Sequence, residues 1–257
     1  MGGLIQVEHP ISGVVHVRLN RPEKHNALNL EMVDTFLGII HEAEEKITNR
    51  VLLITGAGSS FCAGMDLAAA CNIEGKKVLL EKIQTLYTTL AHTTLVTIAA
   101  VHGAALAGGA GVAACCDFIL AANDVKFGFP EVQRGIVPAM VATLIVRRIP
   151  MQRAKEMLLL GELVGSEKGL AIGLFYQIAA QEQLLATALE LAQKALRGGP
   201  NALRKTKQLL FSMLETSFHA DMQKALETHA LNQENAEAKE GMKAFLEKRP
   251  PSWTNSY

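Results

Sequence analysis

Two glycine-bearing segments and one carboxylate carry the residue types that could do chemistry. The first segment is Phe61-Cys62-Ala63-Gly64-Met65-Asp66-Leu67. The second is His102-Gly103-Ala104-Ala105-Leu106-Ala107-Gly108-Gly109-Ala110-Gly111. Each follows an apolar run. Glycine lets a ligand approach the backbone closely. Where such a segment opens a helix, the first N–H groups have no carbonyl in their own helix and can hold an anion or an oxygen that is gaining charge. The carboxylate is Glu131, directly after Pro130. In an apolar cleft its pKa would rise toward neutrality, which suits proton transfer to or from carbon. Taken alone, either glycine segment reads as a helix packed tightly on a sheet, and Glu131 as a surface or N-cap carboxylate. The two segments together read as a site.

A rival chemistry is also written in the second segment. Gly109-Ala110-Gly111-Val112-Ala113-Ala114 fits G-x-G-x-x-A, and Glu131 lies about where a ribose-binding acid would sit. A dinucleotide site, however, needs its glycines in a tight turn straight after a strand. These lie well beyond the apolar run ending at Val101. His25 and His102 flank the motifs and read as packed or partly exposed side chains. Asp66 and Asp117 read as structural, Asp66 by holding loop N–H groups.

Elements must hold these groups in place. Val14–Leu19 alternates and predicts a strand, ended by Asn20-Arg21-Pro22. Met32, Phe36, Ile39, Ile40, Ala43 and Ile47 predict a helix over about 29–46. Strands are expected at 51–55, 95–101, 118–121 and 126–129, with helices around 79–90 and over 108–116. From about Ala139 to Leu246 helical periodicity dominates, with breaks near Gly161, Gly165, Gly173 and Gly198-Gly199-Pro200. The architecture is therefore α/β followed by a mainly helical region. No fixed-period repeat is visible.

Composition narrows the function classes. The chain has 257 residues, 49% hydrophobic and 19% charged, enough for a large core. Its 25 basic and 25 acidic residues cancel, so the basic excess of a nucleic-acid binder is missing. Cys62, Cys71, Cys115 and Cys116 form no CxxC pair, which suits neither zinc nor a disulfide framework; no metal site is expected. Reduced thiols and the lack of a signal-like Met1–Pro10 point to the cytoplasm. Leu95–Cys116 is too interrupted for a membrane span.

The motifs in order resemble those of one family. Arg21-Pro22 with Asn26-Ala27-Leu28 looks like the first signature of the enoyl-CoA hydratase/isomerase (crotonase) family. Phe61–Leu67 resembles its F-x-A-G-x-D-[LI] loop. Ala107-Gly108-Gly109 and Cys116-Asp117 resemble its second loop and following helix. Phe127-Gly128-Phe129-Pro130-Glu131 resembles its F-G-x-P-E segment, and Gly241–Arg249 its C-terminal helix. The run from Gly109 to Asp117 with Pro138-Ala139 also looks like a bacterial branch of single-glutamate, methylglutaconyl-CoA hydratase-like enzymes.

The resemblance implies a spiral of ββα turns over 1–195 that holds coenzyme A and the active site. It implies a helical region over 196–257 serving as lid and trimer contact, in a homotrimer or a dimer of trimers. It places the thioester oxygen between the N–H groups of Met65 and Gly108, with Glu131 as acid/base. Ala27, Leu28, Ala63, Met65, Asp66 and Leu67 would lie along the coenzyme. Lys248, with Lys243 or Arg249, would meet its phosphates, and Phe129, Ala139, Met140 and the 67–77 loop would wall the acyl group. Coenzyme A belongs to the substrate, so no separate cofactor is implied. Hydration of a 2-enoyl-CoA in fatty acid metabolism is the first implied activity, delta-isomerisation the second and a non-catalytic or RNA-binding role the third. Two departures favour a one-carboxylate site. The second glutamate of two-carboxylate hydratases falls at Gly111, and Ala139-Met140-Val141 replaces the usual glycines.

Overall fold

The computed structural model describes residues 3–66, 73–214, 218–233 and 236–250. In chain order, β1 (Ile5–Glu8), β2 (Val14–Leu19), α1 (Leu30–Glu45), β3 (Val51–Gly56) and β4 (Ser60–Cys62) come first. Then follow α2 (Ile73–His92), β5 (Val96–Val101), β6 (Ala104–Leu106), α3 (Gly108–Ala114), β7 (Phe118–Ala122) and β8 (Lys126–Gly128). A 3₁₀ turn over Pro130–Arg134 leads into α4 (Ala139–Ile145), α5 (Met151–Leu159), α6 (Ser166–Ala171) and β9 (Gln177–Ala179). The chain ends in α7 (Leu184–Leu196), α8 (Pro200–Leu214), α9 (Phe218–Gln233) and α10 (Ala236–Leu246).

One turn of chain builds a strand in a large sheet, a strand in a small sheet and a helix, and then repeats. The large sheet runs β1-β2-β3-β5-β7-β9, with β1 antiparallel to β2 and the other pairs parallel. The small sheet is parallel β4-β6-β8. This is the expected spiral of ββα turns.

Both faces of the large sheet are covered at its middle strands, so β3, β5 and β7 are mainly apolar rather than alternating. Leu52 and Ile54 face the main core with Phe36, Phe61 and Tyr87. Val51 and Leu53 face the other side, under Leu184, Ala188 and Leu191 of α7. Asn29 caps α1, its side chain accepting from the Met32 N–H at 2.9 Å, so the helix starts one residue later than the pattern suggests. Two strands lie where the sequence suggests glycine-bearing loops, β4 at the start of the first segment and β6 inside the second; β9 lies where helical periodicity is expected, and β1 was not anticipated. The strand β6 separates β5 from the glycines at 108–111. That removes the strand–turn–helix geometry a dinucleotide site requires.

Candidate active site

The first signature works as a clamp. Asn26 is fully buried, and its side-chain amide donates to the carbonyls of Ala57, Ser60 and Phe61 at 2.9, 2.8 and 3.1 Å. Its side-chain Oδ1 accepts from the Arg21 N–H at 2.8 Å. Next to it the Leu28 N–H donates to Gly64 O at 2.7 Å, and the Asp66 N–H donates to Leu28 O at 2.8 Å. The segment is thus held as a short parallel bridge between Leu28 and Met65. Backbone groups alternate along an extended chain, so the Met65 N–H points away from Leu28.

On that other side lies the start of α3. A methyl group placed on Gly108 would stand 3.6 Å from Met65 N and 3.4 Å from the Tyr87 hydroxyl. As the first residue of α3, Gly108 has no helical acceptor for its N–H. Among the described residues neither the Met65 nor the Gly108 N–H donates to a protein acceptor. Tyr87, from α2, donates its hydroxyl proton to Gly108 O at 2.8 Å and so holds the peptide that follows the Gly108 N–H at the start of α3. The closeness depends on Gly109, where any side chain would overlap the carbonyl of Cys62 in β4. Two donors side by side are the arrangement that stabilises an enolate-like oxygen.

Glu131 sits on the 3₁₀ turn beside this pair, in a cavity of about 360 Å³ that also includes Met65, Gly108 and Tyr87. The rest of the lining is mainly apolar, with Leu80, Ile83, Ile136, Met140 and Val141. The Glu131 carboxyl has one oxygen, Oε2, sealed from solvent with no hydrogen-bond partner among the described residues. Burial raises its pKa to about 7, against the opposing pull of its own N–H and of the Arg134 charge. It is half neutral near physiological pH, as an acid/base group should be.

The place where a second carboxylate would stand is occupied. A side chain at Gly111 would overlap the Tyr87 hydroxyl and lie 2.5 Å from its Cζ and 3.0 Å from Val141 Cγ1. Burial raises the Tyr87 pKa well above the ordinary phenol range, so it stays neutral and keeps its proton on Gly108. In sequence Tyr87 was one apolar position in a helical pattern.

The other expected residues divide. Ala27, Ala63 and Asp66 line the cavity. The Leu28 side chain is fully buried in the core, so only its backbone serves the site. Asp66 Oδ2 takes the Arg21 guanidinium at 2.6 Å, which ties the loop to the first signature. Leu67 lies outside the described residues. Of the expected acyl wall, Ala139 and Met140 line the cavity, whereas Phe129 turns inward and packs edge-on against Phe127. His25, which is exposed, binds Ser60 Oγ at 3.1 Å, and the buried His102 binds Gly58 O at 2.9 Å. Asp117 accepts from the Thr97 N–H and from Lys207 Nζ at 2.8 and 2.7 Å, tying β7 to β5 and α8.

A second cavity, of about 700 Å³, adjoins the first through Met65, Leu80, Ile136 and Leu246. Lys76, Lys77, Lys239 and Lys243 line it. Lys248 is exposed and lines neither cavity. Arg249 is held by Glu240 at 2.7 and 3.0 Å. Two further polar groups of the first cavity, Arg134 and His229, had no motif to reveal them. His229 Nδ1 lies 3.3 Å from Val137 O, and burial lowers its pKa, so it is neutral.

Residues 10–256 match the family model described as enoyl-CoA hydratase/isomerase. The chain belongs to the enoyl-CoA hydratase/isomerase family. A Thermus thermophilus protein with an enoyl-CoA hydratase assignment is 35% identical over 257 residues, covering 96% of this chain and 99% of the relative. An enoyl-CoA isomerase/hydratase of Mycosarcoma maydis is 33% identical, over 95% of this chain and 93% of its own. The crystal structure of an enoyl-CoA hydratase from Mycobacterium avium superposes with a TM-score of 0.89 at 28% identity, covering 98% of this chain and all of that one. For a family that works on coenzyme A thioesters, paired N–H groups beside a near-neutral carboxyl form a chemically coherent site.

Proposed function

We propose that this enzyme adds water across the double bond of a 2-enoyl-CoA, with Glu131 as its one acid/base carboxyl. The carrying observation is the combination in one cavity of the Met65 and Gly108 N–H pair with a carboxyl whose pKa is raised to about 7. In this reading the thioester oxygen sits between the two N–H groups. Glu131 takes a proton from water as the oxygen attacks the β-carbon, and charge moves onto the thioester oxygen as an enolate. Glu131 then returns the proton to the α-carbon. Loss of one such N–H donor typically costs about 10²–10³ in rate.

The cavity beside Ala27, Ala63 and Asp66 would take the pantetheine arm. The Lys76, Lys77, Lys239 and Lys243 cluster suits the coenzyme phosphates better than Lys248 does. We also propose that 1–195 acts as the catalytic core and 196–257 as lid and oligomer contact. With three described cysteines buried and unpaired, the cytoplasm suits the chain. No helix among the described residues is long and apolar enough to cross a membrane.

A second reading, delta-isomerisation, draws on Tyr87 filling the place of the second carboxylate. One carboxyl is enough to move a proton from one carbon to another. The deciding experiment follows crotonyl-CoA hydration by loss of enoyl absorbance, beside 3-hexenoyl-CoA isomerisation, in wild type and Glu131→Gln. Hydration that disappears in the variant supports the first reading. Isomerisation without hydration replaces it with the second.

A further inference from the structure

Arg134 is a cation set into an otherwise mainly apolar cavity. It is half-buried and lines the same space as Glu131, Met140 and Val141. Among the described residues its guanidinium makes no ion pair and no hydrogen bond. Its close contact is the ring of Phe245 from α10, 4.4 Å from Cζ to the centroid. An aromatic face attracts a cation but does not satisfy five N–H donors or neutralise the charge. Burial accordingly lowers the Arg134 pKa, with only the charge of Glu131 opposing the effect. A half-buried cation of this kind is best matched by an anion from the ligand.

Geometry says which part of the ligand. In a 3₁₀ turn residues three apart are eclipsed, so Arg134 projects from the same face as Glu131, roughly 6 Å further along the axis. Lys76, Lys77, Lys239 and Lys243 line the adjoining cavity and not this one, while Arg134 lines this one and not the other. The coenzyme phosphates thus have lysines of their own, and Arg134 stands with the group that handles the reacting carbons. We propose that Arg134 binds a carboxylate at the far end of a short acyl chain, so that the preferred substrates are thioesters of dicarboxylic acids. This rests on the cavity being the acyl site of a coenzyme A thioester enzyme. It also gives the neighbouring charge a purpose. Empty, Arg134 holds the Glu131 pKa down; paired with a substrate carboxylate, it releases that hold as the reaction begins.

The test is binding, independent of turnover. Succinyl-, glutaryl- and adipyl-CoA are titrated calorimetrically against butyryl-, valeryl- and hexanoyl-CoA, which match them in length but end in methyl. In wild type at least one acid-terminated thioester is expected to bind about tenfold or more tightly than its neutral partner, the scale of one charge-assisted pair. Arg134→Met should erase that ratio, and Arg134→Lys should keep part of it. Equal binding across each pair in wild type overturns the proposal. So does a ratio unchanged in Arg134→Met, or a uniform loss over all six thioesters, which would put Arg134 on the phosphates. Failure of every thioester to bind would instead bring down the reading of the cavity itself.

Discussion

A carboxyl that must both accept and return a proton works best when its pKa lies near the working pH. Glu131 reaches about 7 through burial, and the cost of that burial sets a pH dependence. The folded pKa lies above the unfolded value near 4.5, so the fold favours the protonated form. The stabilising contribution is complete below about 4.5, declines as pH rises, and is lost above about 7. The interval corresponds to about 3 kcal/mol. Glu131→Gln should therefore resist urea better than wild type at pH 8, by up to about 3 kcal/mol, and match it near pH 4. Its kcat should fall by about 10²–10⁴, and the rise of kcat/KM through pH 7 should vanish. Urea melts at the two pH values and a pH–rate profile check both arms. Tyr87 makes a separate prediction. Tyr87→Phe removes the donor to Gly108 O while keeping the ring that fills the Gly111 space. An expected fall of about tenfold in kcat, with KM little changed, is one lost hydrogen bond felt in the transition state. The red shift of bound 4-dimethylaminocinnamoyl-CoA, which reports polarisation of the thioester carbonyl, should shrink with it. An unchanged spectrum would mean that Tyr87 is only a core residue.

At the scale of elements, the site depends on how closely α3 can lie on β4. Gly109 has no room for a side chain against the Cys62 carbonyl. Gly109→Ala must lift α3 away from β4 and carry the Gly108 N–H away from Met65. Overpacking of this kind costs about 1–3 kcal/mol. Chemical denaturation should register that loss, and kcat should fall while the fold, followed by circular dichroism, persists. Retained wild-type kcat would show that the two donors need not be adjacent. This contact also marks how far the sequence could be read. The long strands and helices were legible, because six or more apolar residues at a fixed period identify an element. Glu131 and the Met65 and Gly108 backbone were legible through their motifs. The short strands β4 and β6 were not, since each runs into a glycine-bearing segment that reads as a loop. Tyr87 and Arg134 were hidden for another reason. Tyr87 fits its helical pattern as a core residue, and Arg134 gains meaning only when α10 packs on the 3₁₀ turn and Phe245 covers it.

For the whole molecule, α8 carries a contradiction that assembly would resolve. One side of the helix is anchored to the core by polar groups. Lys207 Nζ reaches Leu95 O at 2.6 Å and Asp117 at 2.7 Å, and Arg204 reaches Asn49 O at 3.1 Å. Further along, Leu209 and Leu210 are 55% and 58% exposed, and Leu231 of α9 is 76% exposed. Neighbouring leucines left in water on a helix this well anchored are expected where another chain covers them. The family resemblance points to a homotrimer or two stacked trimers, so sedimentation equilibrium should give three or six times the 27.7 kDa chain. Leu209→Asp combined with Leu210→Asp should lower that mass toward a single chain. The fold should survive, because the anchors through Lys207 and Arg204 are untouched and neither leucine belongs to the buried core. Activity should fall with the mass if a neighbouring chain steadies α9 and α10, since both help wall the cavities through His229, Phe245 and Lys243. A wild-type protein that sediments as one chain would remove assembly as the explanation for these leucines. An oligomer unchanged by the double substitution would move the contact to another face.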